Sequence, residues 1–186
     1  MAKGFTLIEM IVSLAIITSV TTLFVANYHS ANRRTDLIMT AQTLVADIHY
    51  AQSNTLGLAK YNNIVPAGGW GVSFDKNANA YTLFADLDSP GTPGYRQFDP
   101  LTEGNKAYGA RRVELPDTIR IDKLATANYS NYVLANATFL PPDPKTNIWL
   151  NTGATSSVLE IVLAEDGTEK KKTIRVNFLG LAEVID

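Results

Sequence analysis

The stretch KGFTLIEMIVSLAIITSVTTLFVA, residues 3–26, decides the fold of this chain. From Phe5 to Ala26 its residues are apolar or small and uncharged, with the single exception of Glu9. A run of this kind matches the roughly 20 residues that a helix needs to cross a hydrocarbon core about 30 Å thick. It is too long for the apolar region of a cleaved signal peptide, and a small-x-small cleavage site does not follow it. We therefore predict a transmembrane helix over residues 5–26.

Glu9 raises the question of how a carboxylate is accommodated at membrane depth. An acidic side chain there costs a few kcal/mol unless it finds a partner, so such residues usually serve a function. Within the segment the sequence places no Lys or Arg in helical reach of Glu9, because Lys3 precedes Gly4, a poor helix residue. Cleavage after Gly4 would free the amine of Phe5 one helical turn from Glu9. That amine could pair with Glu9 of a neighbouring copy and neutralise both charges.

The residues KGFTLIEMIVSLAII closely resemble the processing site of type IV prepilins and of the pseudopilins of type II secretion systems. The resemblance implies that prepilin peptidase removes residues 1–4 as a leader, cutting between Gly4 and Phe5, and methylates the new amine of Phe5. It also implies that Glu9 guides docking of the subunit into a growing filament. The N-terminus would lie in the cytoplasm and the globular part outside.

Beyond Arg34 the apolar residues narrow to one stripe that recurs at alternating steps of four and three, the spacing of a helix face. We therefore predict that the helix continues to residue 57, where Gly57 favours a stop. An apolar stripe on a helix in water has to pack against other residues, which the rest of the chain would supply. His49 falls off the stripe and is interpreted as a solvated helix residue. The stripe consists of Leu37, Ala41, Leu44, Ile48, Ala51 and Thr55.

Residues 58–186 predict a globular, β-rich extracytoplasmic domain. GWGVSF and AYTLFADL flank a turn rich in Asn and Asp, which indicates a hairpin. RRVELP and TIRIDKL indicate further strands, and a last hairpin turns at Asp166-Gly167. In that hairpin the inward residues are predicted to be Leu159, Ile161 and Leu163 on one strand and Ile174, Val176 and Phe178 on the other.

These elements predict an α+β, pilin-like fold, in which one long helix packs on a mostly antiparallel sheet. The segment GWGVSFD, followed by YTLFADLD and a strand-rich C-terminus, also resembles the H-type minor pseudopilin domain, more loosely than the N-terminal match. Residues 88–109 and 126–147 are rich in Pro, Gly and Asn and are predicted to be long loops.

A calcium site is a weaker expectation. Asp86 and Asp88 resemble the start of a calcium loop, with a glycine at its sixth position. Pro90 stands where a third ligand is needed, and Gln97 stands where a Glu is expected. Asp99 or Glu103 could substitute if the loop folds back. A strand end with solvated acids explains the same residues, so calcium is possible and no other cofactor is expected.

Composition excludes several kinds of chemistry. The chain has no cysteine, and both histidines, His29 and His49, precede the predicted globular domain. A Ser-His-Asp site therefore has no candidate histidine there, and we predict a protein that is not an enzyme. The formal net charge is −2, which gives no general argument for nucleic acid. The basic run at residues 170–172 is diluted by acidic neighbours, so nucleic acid is an unlikely partner.

We therefore predict a structural subunit of a type IV pilus-like filament or a type II secretion pseudopilus. Its partners would be copies of itself or other pilin subunits, prepilin peptidase and the cytoplasmic membrane. The precursor would cross that membrane once, and the mature subunit would join a cell-surface or periplasmic filament. One alternative is a signal-anchored extracytoplasmic binding protein that never polymerises. The other is a minor pilin that captures DNA.

Overall fold

The computed structural model describes residues 6–99, 110–127, 129, 131–140 and 145–185, apart from the side chains of residues 26–34 and 145. Within these residues the chain has one helix, α1 (Leu7–Leu56), and ten strands. It divides into two compact units, the first ending at Asp36 and the second beginning at Leu37. The strands are β1 (Gly69–Asp75), β2 (Ala80–Asp86), β3 (Arg111–Glu114), β4 (Ile119–Ala125), β5 (Leu134–Leu140), β6 (Lys145–Leu150), β7 (Thr155–Ser156), β8 (Val158–Glu165), β9 (Lys171–Asn177) and β10 (Ala182–Ile185).

The strands form two antiparallel sheets. The first has six strands in the order β3-β2-β1-β5-β6-β7, and the second has four in the order β10-β9-β8-β4. Each strand pairs antiparallel with its neighbours. The α+β, pilin-like fold class is thus confirmed, although two sheets replace the single sheet that the strand pattern suggested.

The predicted stripe of α1 forms part of the core of the second unit. Leu37, Ala41, Leu44, Ile48, Ala51 and Thr55 are all buried. The apolar members pack in one cluster with strand residues of both sheets, such as Phe74 and Ile161. The polar member, Thr55, is satisfied because its hydroxyl donates to the carbonyl of Phe139 at 3.2 Å and accepts the amide of Trp70 at 3.1 Å.

The residue that stops α1 is Leu58, one position after the predicted Gly57. Gly57 keeps a helical hydrogen bond to the carbonyl of Ser53 at 2.8 Å. Leu58 takes the left-handed conformation, with φ 49°. The amides of Leu58 and Ala59 donate back to the carbonyls of Thr55 and Asn54, at 3.1 and 2.8 Å, which is the Schellman pattern. The stop is therefore made at Leu58, where glycine would be the favoured residue.

Two strand predictions need correction. Residues 126–147 were predicted to form a loop, but β5 lies within this range and β6 begins there. Asn and Pro residues in this range suggested a loop, although Ala135, Ala137 and Phe139 alternate along a strand and are buried. Phe178 was predicted to point inward, but β9 ends at Asn177 and Phe178 is 52% exposed. Residues 88–99 lie outside the strands as predicted, and residues 100–109 lie outside the described residues.

Asp47 ties α1 to the first sheet. The buried hydroxyl of Tyr81 donates to its Oδ2 at 2.7 Å, and the guanidinium of Arg111 binds its Oδ1. Burial raises the pKa of the Tyr81 hydroxyl well above its usual range, and the hydrogen bond to Asp47 raises it further. The Tyr81 proton is therefore held tightly in the folded state.

Asn79 ties the two sheets together. It lies in the β1–β2 turn with φ 48°. Its Nδ2 donates to the carbonyl of Ile119 at 2.7 Å, and its Oδ1 accepts the amide of Ile121 at 2.9 Å. The carboxamide thus supplies β4, an edge strand of the second sheet, with a donor and an acceptor.

In the first unit, every described side chain from Thr6 to Val25 is exposed. Leu7–Val25 has a mean hydropathy of 2.1 and is long and apolar enough to cross a membrane, as a signal sequence near an N-terminus would also be. Hydroxyl groups in this segment donate to carbonyls four residues earlier, as Ser19 does to Ala15 and Thr22 to Thr18, both at 2.8 Å. Such bonds satisfy polar side chains where lipid offers none.

Candidate assembly site at the start of the helix

Glu9 and Thr6 form a capping box at the start of α1. The carboxylate oxygen Oε2 of Glu9 accepts the amide of Thr6 at 2.9 Å and its hydroxyl at 2.8 Å. In return, the amide of Glu9 donates to the hydroxyl oxygen of Thr6 at 3.4 Å. Thr6 is the residue before the first helical position, and Glu9 is the third helical residue. This is the reciprocal arrangement that satisfies two amides left free at a helix start.

The capping box provides Glu9 with a partner that sequence reasoning missed. The signal was present, because Thr6-Leu7-Ile8-Glu9 is the Thr-x-x-Glu pattern of a capping box. The partner is an amide and a hydroxyl, rather than the cation that the charge of Glu9 suggested. The two bonds from Thr6 both end on Oε2, so neither uses Oε1. Because an ionised carboxylate has about four acceptor positions, Glu9 can accept a further donor without losing the cap.

The remaining predicted residues of this site are Gly4 and Phe5. Both lie outside the described residues. Cleavage between them, and methylation of Phe5, stay predictions. What the structure adds is that helical geometry begins at Leu7, the third residue after the predicted cut.

Residues 1–25 match the family model of the prokaryotic N-terminal methylation motif. This is the prepilin-type signal of type IV pilins and pseudopilins. The match points to a structural subunit. It implies processing by prepilin peptidase and assembly with other pilins. Together with the apolar helix, it fits a membrane-anchored precursor. Neither the curated proteins nor the solved structures gave a significant match to the chain.

Of the acidic residues in the calcium prediction, Asp86 ends β2, Asp88 and Asp99 lie in the loop after it, and Glu103 lies outside the described residues. Asp86 is buried, and its carboxylate accepts the amide of Asp88 at 2.9 Å and the amide of Arg96. Asp86 therefore fixes the path of this loop. Among the described residues there is no group of three or more His, Asp or Glu placed to hold a metal ion. Calcium binding stays a prediction.

The basic run near the C-terminus is paired with acids from neighbouring strands. Lys170 lies 3.5 Å from the carboxylate of Glu165, and Lys171 lies 2.8 Å from that of Asp122. The hydrogen bond from Lys171 lowers the pKa of the Asp122 carboxyl. Cations held in this way offer less charge to a phosphate backbone than the sequence run suggests.

Proposed function

We propose that this protein is a subunit of a type IV pilus-like filament or a type II secretion pseudopilus, with assembly as its function. The observation that carries the proposal is the methylation motif at residues 1–25, with Glu9 placed at the first turn of an exposed apolar helix. A helix with an apolar surface on all sides needs lipid or other helices around it. The precursor uses lipid and the filament uses neighbouring helices.

Assembly follows from the chemistry of the first turn. Peptidase removes residues 1–4 and leaves a methylated amine on Phe5. The amine of one subunit then approaches Oε1 of Glu9 in the next, while Oε2 keeps the contact with Thr6. Pairing removes two unpaired charges from an apolar setting, where each alone would be costly. The globular unit stays outside the membrane, and the helices of neighbouring subunits pack by apolar contact.

The competing reading is an anchored extracytoplasmic binding protein that never polymerises. Such a protein needs an apolar helix but has no need of Glu9 or of a cut after Gly4. The methylation motif therefore favours the filament subunit. Capture of DNA by a minor pilin has weaker support, because Lys170 and Lys171 are already paired with carboxylates.

The test separates docking from helix capping. Glu9→Val is expected to be processed normally, yet to reach sheared filaments about tenfold less or worse, since 1.4 kcal/mol already corresponds to a factor of ten. Thr6→Ala, the matched control, removes the hydroxyl of the capping box and keeps the carboxylate. It should be incorporated at nearly the normal level.

The measurement is the amount of each variant in sheared filaments and in membranes, by immunoblot. Normal incorporation of Glu9→Val would contradict the docking role, and an equal defect in both variants would assign Glu9 to helix capping alone. Gly4→Leu tests the cut separately. It should leave an unprocessed precursor, and a normal mature N-terminus would move the cleavage site elsewhere.

A further inference from the structure

A groove of about 500 Å³ opens in the second unit, between α1 and the first sheet. Its volume lies in the range of small-molecule sites, which is about 300–1,000 Å³. Leu83 of β2 is among the residues that line it, together with aromatic rings and one ion pair. The lining residues are Asp47, Tyr50, Tyr61, Trp70, Leu83 and Arg111.

The aromatic rings are held by the backbone around them. The indole Nε1 of Trp70 donates to the carbonyl of Ala59 at 3.2 Å. Tyr61 meets the Trp70 ring edge to face, with 6.4 Å between ring centroids. The Tyr61 backbone exchanges two hydrogen bonds with Ile64, at 2.8 and 2.9 Å, across a two-residue turn. The turn residues are Asn62 and Asn63, both left-handed, as a tight hairpin turn requires.

Tyr50 is the most exposed of the three aromatic residues that line the groove. It lies on α1 and its side chain is 55% exposed. Tyrosine and tryptophan combine an apolar ring with a polar tip, so they suit ligands that have both an apolar face and a wet edge. The three rings therefore offer apolar contact surface that stays accessible from solvent.

The polar groups of the groove carry no net charge. Asp47 and Arg111 form an ion pair, so each neutralises the other. Asp47 also accepts the hydroxyl of Tyr81. A carboxylate has about four acceptor positions and a guanidinium has about five N–H donors, and these contacts use only part of them. The groove thus retains both donors and acceptors while presenting no uncompensated charge.

We propose that this groove binds a neutral saccharide. A sugar ring has an apolar C–H face that can lie on the aromatic side chains. Its hydroxyl groups both donate and accept, which matches the spare capacity of Asp47 and Arg111. A cationic ligand fits less well, because the cation would meet a carboxylate already paired with Arg111. An anion meets the converse problem, since the guanidinium is already paired with Asp47.

A second copy of the chain is the alternative occupant. The turn after β9 exposes apolar side chains, Phe178, Leu179 and Leu181 at 52%, 65% and 54%. Inserted into the groove of another copy, this turn would make a head-to-tail contact of the kind that builds open filaments. It would use the rings and leave the polar capacity of the ion pair unmatched. The saccharide uses both, and for that reason it is the favoured occupant.

Binding is tested with the full chain in polyoxyethylene ether micelles, whose headgroup contains neither sugar nor ammonium. The probes are maltotriose, cellotriose and triacetylchitotriose, with tetramethylammonium chloride as the cationic probe. The chain has two tryptophans, so Trp149→Phe leaves Trp70 as the only reporter of fluorescence. Saturation-transfer NMR on the unmodified chain gives a second readout that does not depend on this variant.

We expect at least one trisaccharide to change Trp70 emission saturably, with half-saturation below about 10 mM, the range of weak small-ligand binding. Tyr50→Ala should weaken that binding at least about tenfold, a change equal to 1.4 kcal/mol. Tyr129→Ala is the matched control, because Tyr129 is also 55% exposed and lies outside the groove. It should bind as the unmodified chain does.

The proposal is overturned if all three trisaccharides fail in both readouts, or if Tyr50→Ala binds as tightly as the control. Tighter binding of tetramethylammonium than of any trisaccharide would replace it with a cation site. A Trp70 signal that grows with protein concentration, and disappears in Leu179→Asp, would assign the groove to a second copy. The test is independent of filament assembly, so it can fail while the assembly role stands.

Discussion

The two halves of α1 come from one helix and differ in how their side chains are covered. From Thr6 to Val25 every described side chain is exposed. From Leu37 to Thr55 the residues of one stripe are buried against both sheets. The first half carries apolar residues on every face and one charged residue, Glu9, whereas the second half is apolar on one face.

The two halves of α1 therefore differ in which molecules cover their apolar side chains. The second half is completed by its own chain, so it contributes to the stability of the folded unit. Under the proposed assembly role, the first half is covered by lipid in the precursor and by other subunits in the filament. Substitutions in the first half should therefore alter localisation and assembly, and substitutions in the second half should alter the free energy of unfolding.

The largest expected effect comes from shortening the buried stripe. Leu44→Ala should lower the free energy of unfolding by about 3 kcal/mol, because it removes a fully buried side chain and leaves a cavity. Leu14→Ala, the matched change in the exposed half, should alter it by less than about 0.5 kcal/mol. Urea unfolding in micelles, followed by tryptophan emission, measures both. Equal effects would contradict the division of roles between the two halves.

The next effect comes from the contact of Asp47 with the first sheet. Asp47→Ala should cost about 2–3 kcal/mol, because it leaves the buried hydroxyl of Tyr81 without its acceptor. Asp47→Asn keeps an acceptor and should cost less. The same urea titration measures the free energy of unfolding of both variants. A cost below about 0.5 kcal/mol for Asp47→Ala would mean that the apolar stripe alone holds α1 against the sheets.

Loss of the Asn79 carboxamide should cost about 2 kcal/mol, because two hydrogen bonds to β4 disappear at about 1 kcal/mol each. Asn79→Gly isolates this effect, since glycine accepts the left-handed backbone without strain. Asn77→Gly, in the same turn and exposed, is its control. If the two variants unfold at the same urea concentration, Asn79 does not join the sheets.

Alkaline pH should weaken the second unit through Tyr81. The pKa of Tyr81 is raised by burial in the folded state, whereas the ordinary value is 10.0. The resulting stabilisation is fully present below about pH 10 and is lost as pH rises from there, by up to about 1.4 kcal/mol per unit. Urea unfolding between about pH 8 and 11 measures it. In Tyr81→Phe the free energy of unfolding should fall less steeply with pH. An unchanged slope would refute the assignment of this pH dependence to Tyr81.

The smallest effect is a gain at the end of α1. Leu58→Gly should raise the free energy of unfolding by about 0.5–1 kcal/mol, because a left-handed conformation is unfavourable for leucine and free for glycine. The side chain is half exposed, so little packing is lost. Thermal unfolding would detect the gain, whereas a lower melting temperature would mean that the Leu58 side chain contributes contacts.

The sequence predicted those features that depend on near neighbours along the chain. The stripe from Leu37 to Thr55 repeats with helical spacing, and burial follows it residue by residue. The β1–β2 hairpin, with its Asn-rich turn, could likewise be read locally. The capping box of Thr6 and Glu9 was equally local, but the charge of Glu9 pointed to a cationic partner instead.

Features that depend on distant residues could not be read in this way. One helix and two strands bring together Asp47, Tyr81 and Arg111. No local pattern in the sequence predicts this contact. β5 was missed because its flanks carry loop residues while its partners lie in β1 and β6. Strand pairing across such distances is decided by the packed structure, not by periodicity.

Mass spectrometry of the N-terminal peptide, from sheared surface filaments and from membranes, tests the central claim most directly. The assembly role predicts a chain that begins at N-methylated Phe5 and is recovered in the filaments. A chain that still begins at Met1 or Ala2, present in membranes and absent from filaments, would contradict it and leave the anchored binding protein as the better account.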